Sequence, residues 1–485
     1  MGFYMKMKSC FKKTFILVVI GLFIFGSVIP SLNAEIVNNS EDEIETESQN
    51  DLDLLIICYP DFRRYLEPLV EHKKNHGVDA KIKTLYDIYE YSEMGRDNPE
   101  KIKYYIQMAY DTWGVKYVML VGDYKKMPVR YVYNADMNYL PYLEARYISE
   151  LYYADLYDDS HVFQTWDSNE NGVFGEWYVN VSDARDINID LHPDLYVGRL
   201  ACRNAFEVRV MVNKIIKYET RTYGSDWFNK FVVVAGDTYH NTKYPGVNTT
   251  GFEGEENTKK ALENMTHFEQ VRLWVSKGTL RGPRDVIREI NRGCGLMYFD
   301  GHANPMSWGT NLYNKNGSVD GLRNQDMWRL LNGYKLPVIV APACHNGQFD
   351  VDPLNLLKDP KQAFQHGTWA FECWAWKLTS KPFGGAISVM SNTGLGMTKE
   401  DKKSVTGAGD YMDPQFFYVY GNNQSDILGE CWGKAIDRYI DAYPVDWTIS
   451  DNSSYVYDVK YDLKTPQQFT LFGDPSLKIG GYPPE

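Results

Sequence analysis

The 485 residues contain no Cys-x-x-Cys pair, no GxxxxGK[ST] stretch and no GxGxxG after a strand-like run. The first absence leaves no zinc framework in view. The other two leave a nucleotide-binding reading without the backbone cradle that phosphates need. Positive charge is in deficit, with 51 Lys and Arg against 64 Asp and Glu, a net charge of −13. A basic footprint for nucleic acid is therefore missing. Cysteine is sparse, at seven positions. Beyond residue 34 no apolar run is long enough to span a membrane. The chain is nonetheless 44% hydrophobic and 15% aromatic, which excludes a disordered or collagen-like protein. Its 37 Tyr and 12 Trp provide a large amphipathic surface without naming a ligand.

The amino terminus reads as an address. Lys6, Lys8, Lys12 and Lys13 precede the apolar run FILVVIGLFIFG, and Ser31-Leu32-Asn33-Ala34 closes it with a small residue. This is the pattern of a secretory signal over residues 1–34, and it implies a secreted or cell-surface protein. Retained, the same run would serve as an anchor. Glu35 to Asp53 follow with eight acids and no base, so 35–52 reads as a solvated linker. Seven Asn-x-Ser/Thr sequons, at Asn38, Asn180, Asn248, Asn264, Asn316, Asn423 and Asn452, suit an exported chain. Removing the signal removes Cys10 and leaves Cys58, Cys202, Cys294, Cys344, Cys373 and Cys431. Three disulfides, or buried thiols with one reactive member, are both open at this point.

From residue 53 onward short β-branched runs alternate with helix-like stretches. The runs are Leu54–Cys58, Tyr117–Val121, Leu195–Val197, Phe231–Ala235, Leu296–Phe299, Val338–Ala341, Ala386–Met390 and Phe469–Phe472. Helical stretches are expected at Arg63–Asn75, Lys101–Thr112, Ala205–Thr222, Glu255–Asn264, Arg284–Asn291 and Ile427–Asp441. Unbroken apolar runs mark strands covered on both faces, and the alternation predicts an α/β fold with mainly parallel sheets flanked by helices. The stretch TYGSDW, after a long helix, divides the body into subdomains at 53–222 and 223–485.

Two of the runs end on reactive residues. Gly295–Thr310 is an apolar strand, then Gly301 and His302. Leu336–Asp350 is an apolar strand, then Ala343 and Cys344. The reactive residues are 42 positions apart, room for one crossover with a helix near Gln325–Leu331, so adjacent parallel strands would bring both to one edge. A free thiol has a pKa of about 8.5, so little is thiolate at neutral pH. A neighbouring imidazole takes the proton and stabilises the thiolate. The backbone N–H groups of Ala303 and Cys344, flanked by small residues, are the expected oxyanion donors. His345 is a rival base, but neighbours on an extended strand point to opposite faces. Spacing alone leaves the alternatives of a structural histidine and a buried hydrophobic cysteine open.

These segments resemble the gingipain-type cysteine peptidases, relatives of the caspases. Gly301-His302 with Ser307-Trp308-Gly309-Thr310 matches the first catalytic block, and Ala343-Cys344-His345-Asn346-Gly347 the second. Leu120-Val121-Gly122-Asp123, Val197-Gly198-Arg199 and Phe472-Gly473-Asp474-Pro475-Ser476-Leu477 extend the likeness over most of residues 53–482. The resemblance implies a caspase-like α/β fold with two subdomains. It implies endopeptidase activity on protein or peptide substrates, with Cys344 as nucleophile, His302 as acid and base, and no catalytic cofactor. It also implies an acid that orients the histidine. An ungapped match lands on Thr238, and Asp237 is favoured because a carboxylate holds an imidazolium well. Glu253 is the expected partner of a basic residue before the scissile bond, and Trp308 is expected in the substrate site. The family's histidine is usually followed by Gly, where this chain has Ala303.

Asp167-Ser168-Asn169-Glu170-Asn171-Gly172-Val173 fits the start of a calcium loop, with oxygens from Asp167, Asn169, Asn171 and the Val173 carbonyl. Family members often carry structural calcium, and a solvated turn is the alternative. Two other functions fit the same residues: an inactive surface binding or scaffold protein of this fold, and a transpeptidase whose acyl-enzyme is attacked by an amine.

Overall fold

Runs such as LLIIC, YVMLV and VIVA carry no polar residue and become strands buried on both faces. The computed structural model describes residues 52–91, 94–134, 146–178, 184–238, 252–312, 317–400 and 405–484. The signal segment and the linker up to residue 51 lie outside these, as do the sequons at Asn38, Asn180, Asn248 and Asn316. Residues 49–485 form one compact unit.

Among the described residues ten strands make one sheet. In chain order they are β1 (Leu54–Cys58), β2 (Ala80–Thr84), β3 (Tyr117–Val121), β4 (Tyr196–Leu200), β5 (Lys230–Ala235), β6 (Glu269–Trp274), β7 (Leu296–Asp300), β8 (Val338–Ala341), β9 (Ser388–Asn392) and β10 (Phe469–Phe472). Their order across the sheet is β2-β1-β3-β4-β10-β9-β8-β7-β5-β6. Strands β1 to β4 are mutually parallel, and so are β5 to β9. Strand β10 joins the two groups, antiparallel to β9 and meeting β4 at Phe472 and Arg199. Strands of the stretches 53–222 and 223–485 thus share one continuous sheet.

The helices follow the expected stretches closely. Arg63–Asn75 is found as read, and Ala205–Arg221, Glu253–Asn264 and Leu428–Ala442 differ by one or two residues at an end. The crossover from β7 to β8 departs from expectation. It holds an antiparallel ribbon of three short strands, His302–Asn304, Ser307–Asn311 and Ser318–Arg323, before the helix expected near Gln325–Leu331, which is a 3₁₀ helix at Asn324–Arg329. None of the six cysteines among the described residues is joined in a disulfide, so that alternative falls away.

The junction at β10 explains two sequence motifs. A Cβ on Gly198 would lie 2.6 Å from the Gly473 carbonyl oxygen, so β4 and β10 can approach only because that position is glycine. Arg199 is fully buried, and its guanidinium is held by both oxygens of Glu150 at 2.8 and 2.9 Å. Asp474 accepts from the Ser476 N–H and hydroxyl at 2.9 and 2.7 Å, and its other oxygen lies 2.8 Å from the Lys73 ammonium. Lys73 also reaches Glu219 at 2.8 Å, and His72 meets that carboxylate at 2.9 Å. Lys73 and Glu219 are both fully buried.

Burial alone would raise the Glu219 pKa, but the charge of Lys73 and the bonds from His72 and Lys73 outweigh it and hold the group below its ordinary value. A depressed carboxyl contributes stability that is present above its unfolded pKa, about 4.3, and is lost as pH falls through the native value. Glu219→Gln leaves Lys73 short of one partner and is expected to cost about 3–5 kcal/mol at pH 7. Denaturant titrations of both proteins should show that gap narrowing below pH 4.

Candidate active site

Strands β7 and β8 lie side by side and parallel, with Leu296 opposite Val338, Met297 opposite Ile339 and Tyr298 opposite Val340. Each pair differs by 42 in residue number, and so do His302 and Cys344. Both strands are buried throughout, so a register slip would break the packing on both faces. The ladder therefore fixes which residues leave the sheet together at its carboxyl edge.

His302 stands on the first strand of the ribbon, exposed to solvent. Its Nε2 lies 2.7 Å from the carbonyl oxygen of Thr238, just past the end of β5. A carbonyl only accepts, so Nε2 carries the proton and Nδ1 is the acceptor of the neutral ring. The Asn311 amide donates to the same oxygen at 3.1 Å. Its 3.2 Å approach to Nε2 is two donors converging on one acceptor, not a bond between them. Asn311 in turn exchanges backbone bonds with Asp237. The ribbon thus closes back on the strand end that holds the histidine. Gly301 makes the exit possible, because a Cβ there would lie 2.8 Å from the Gly309 oxygen and 2.9 Å from the Trp308 ring.

Cys344 is half-buried in the turn after β8, its sulfur 3.9 Å from the Gly396 carbonyl oxygen. His345 adopts the left-handed conformation, φ 60°, and its N–H donates to the Gly394 oxygen. The backbone here is a turn and not extended, so the alternation expected to separate Cys344 from His345 does not apply. Asn346 is fully buried and its amide donates to the Ala341 oxygen at 2.8 Å, capping the strand end. A Cβ on Gly347 would meet the carbonyl oxygens of Ser391 and Asn392 at 2.9 Å. The Cys-His-Asn-Gly sequence is therefore a tightly held turn with Cys344 at its start.

The five other cysteines among the described residues are all buried. Burial pushes the thiols of Cys58, Cys373 and Cys431 up to about 12 and raises those of Cys202 and Cys294 further. These are inert hydrophobic positions.

Asp237 is fully buried beside the site, its carbonyl accepting from the Thr310 hydroxyl at 3.0 Å. The acceptor found at Nε2 is the backbone carbonyl of the next residue, Thr238, the position on which the ungapped match lands. Glu253 is 3% exposed, and its Oε2 accepts the Thr238 N–H at 3.3 Å. Trp308 corrects an expectation. It is fully buried against Phe299, centroids 5.1 Å apart, with a ring so close to Gly321 that a Cβ there would lie 2.3 Å away. It packs the ribbon onto the sheet and offers no face to a substrate. Ala303 is half-buried on the strand that carries His302.

The Asp167 loop lies apart from this edge in the chain. Asp167 oxygens accept the N–H groups of Asn171 and Gly172 at 3.0 Å, and Oδ2 pairs with the Arg96 guanidinium. The amide nitrogens of Asn169 and Asn171 both reach Glu176 Oε1, and Val173 donates its N–H to Asn171 at 2.7 Å. Among the described residues no group of three or more His, Cys, Asp or Glu is placed to hold a metal ion.

A large, mainly parallel sheet flanked by helices, with a histidine and a cysteine just past the ends of two neighbouring parallel strands, is a caspase-like α/β fold. The family model described as "Peptidase family C25" matches residues 47–480, and the chain belongs to that family. Among curated proteins it is similar to gingipain R2 of Porphyromonas gingivalis strain ATCC 33277, 19% identical over 300 residues. That match covers 61% of this chain and 32% of the relative. Gingipain R1 of Porphyromonas gingivalis is also 19% identical over 300 residues, covering 61% and 24%. The chain thus spans a third or less of these relatives. Among solved structures it is similar to the Arg-specific cysteine proteinase gingipain R, with a TM-score of 0.60 at 16% identity over 90% of this chain and 80% of that one. A complex of the RgpB pro- and mature domains of Porphyromonas gingivalis gives 0.58 at 16% identity, covering 88% and 79%.

Proposed function

We propose that this protein is an exported cysteine endopeptidase working through Cys344 and His302. Nδ1 of His302 takes the Cys344 proton, and the thiolate attacks the scissile carbonyl carbon. The carbonyl electron pair moves onto oxygen, and the N–H groups of Ala303 and Cys344 stabilise that charge. Collapse expels the amine, which leaves with the proton from His302, and a thioester remains. Water, deprotonated by the same imidazole, releases the acid and restores the thiol. The observation that carries this reading is the Thr238 bond at 2.7 Å, which makes Nδ1 the accepting nitrogen of a histidine that follows β7, the parallel neighbour of the strand that Cys344 follows.

Iodoacetamide should label Cys344 at least tenfold faster than any other cysteine of the folded protein, because the others are buried with raised pKa values. Cys344→Ala should abolish peptide cleavage and leave the melting temperature within about 2 °C of wild type. Mass mapping and a peptide assay check both. Equal labelling of several cysteines, or cleavage by the variant, would remove the assignment. Transfer of the acyl group to an added amine in preference to water would mark a transpeptidase.

A preference for a basic residue before the scissile bond belongs to the same proposal. Glu253 beside the site supports it, as does the likeness to a proteinase titled Arg-specific. A positional peptide library should favour Arg or Lys at that position by about tenfold, and a flat profile would dismiss the idea. Export rests on the segment 1–34; among the described residues no helix is long and apolar enough to cross a membrane. We read the Asp167 loop as a self-closed turn, because Arg96 already supplies positive charge to its carboxylate. A chelator should leave the melting temperature unchanged, and a fall of several degrees would assign the loop to calcium.

A further inference from the structure

A carbonyl orients an imidazole only as well as it is itself held. The Thr238 oxygen is the acceptor of His302 Nε2–H, and the Thr238 N–H is donated to Glu253 Oε2 at 3.3 Å. Glu253 opens the helix Glu253–Asn264, and its position is locked from behind. A Cβ on the following residue, Gly254, would lie 2.9 Å from the Asp300 carbonyl oxygen and 3.2 Å from that of Gly236. The helix start is thus pressed against the ends of both β7 and β5. The strand end before Thr238 is fixed from the other side by Asn311 and Thr310. Glu253 completes the set by holding the N–H of the residue whose carbonyl the ring uses.

We propose that Glu253 is a positioning residue for His302. Its carboxylate fixes the Thr238 N–H, so that the Thr238 carbonyl keeps the imidazole in the Nε2–H tautomer and leaves Nδ1 to receive the Cys344 proton. This deepens the peptidase reading and rests on it for its consequence in turnover. The role is separate from recognition of a basic substrate and makes a different demand on chemistry. A carboxamide oxygen accepts an N–H as a carboxylate does, but it carries no charge for an arginine or lysine.

The test compares Glu253→Gln, Glu253→Ala and Glu253→Met, the last filling the buried volume without an acceptor should the alanine variant fail to fold. Peptides with a neutral or a basic residue before the bond are assayed side by side. On peptides with a neutral residue before the bond, Glu253→Ala or Glu253→Met should lower kcat about tenfold with KM changed less than twofold, and Glu253→Gln should stay within about threefold of wild type. Losses equal in all variants, confined to basic peptides and expressed in KM, would overturn the proposal in favour of direct substrate contact. The His302 ring is also read by carbon and nitrogen NMR in the Cys344→Ala background, which needs no turnover. The Nε2–H tautomer should dominate when Glu253 is intact and in Glu253→Gln, and give way to a mixture in Glu253→Ala or Glu253→Met. Persistence of the pure tautomer in those two variants would sink the positioning role even if the protein proves to be an active peptidase. Its loss would sustain the role even if no peptide is cleaved.

Discussion

The parallel ladder between β7 and β8 is the constraint on which the site depends. It is buried on both faces, so its register cannot slip without breaking the packing above and below. Everything chemical is then a matter of what each strand does on leaving the sheet. One passes through Gly301 into a ribbon, and the other turns through a capped Cys-His-Asn-Gly segment. The ribbon returns Asn311 to the end of β5, which ties the exits of β7 and β5 together around one imidazole. The arrangement needs few polar contacts because the sheet has already done the positioning.

The eight strands legible in the sequence are the eight interior strands of the sheet. The two missed, AKIKT at Ala80–Thr84 and EQVRLW at Glu269–Trp274, are its two edges. An edge strand has a solvent side and carries lysine, arginine or glutamate, so a search for unbroken apolar runs passes over it. The pair proposed for catalysis stands out in the sequence because residue type and strand end coincide at His302 and Cys344. The ungapped match reaches Thr238, but a backbone carbonyl is not announced by residue type, so the neighbouring carboxylate is preferred. Trp308 misled for the opposite reason: it lies inside a catalytic block, yet its ring serves packing.

Several matched motifs turn out to be joints. Val197-Gly198-Arg199 and Gly473-Asp474 meet at the seam between β4 and β10, where glycine permits contact and buried ions pair with one another. An Arg or Lys buried to this degree requires its partners at fixed places, because leaving one unpaired costs several kcal/mol. Such a seam is as demanding of sequence as an active site, for a purely architectural reason. Asp300, two residues before His302, belongs with these groups. Burial pushes its carboxyl up to about 6, and Asn257 and Tyr298 donate to it at 2.7 and 3.0 Å.

Strand β10 has a consequence for how this chain is made. Residues 469–472 fill the slot between β4 and β9, whose partners were synthesised long before. While the ribosome is still adding residue 468, both of those strands present unpaired backbone edges, and Lys73 lacks Asp474. Closure over so long a separation is slow, and open strand edges attract other chains. The nascent sheet therefore stays open at its middle until β10 is made.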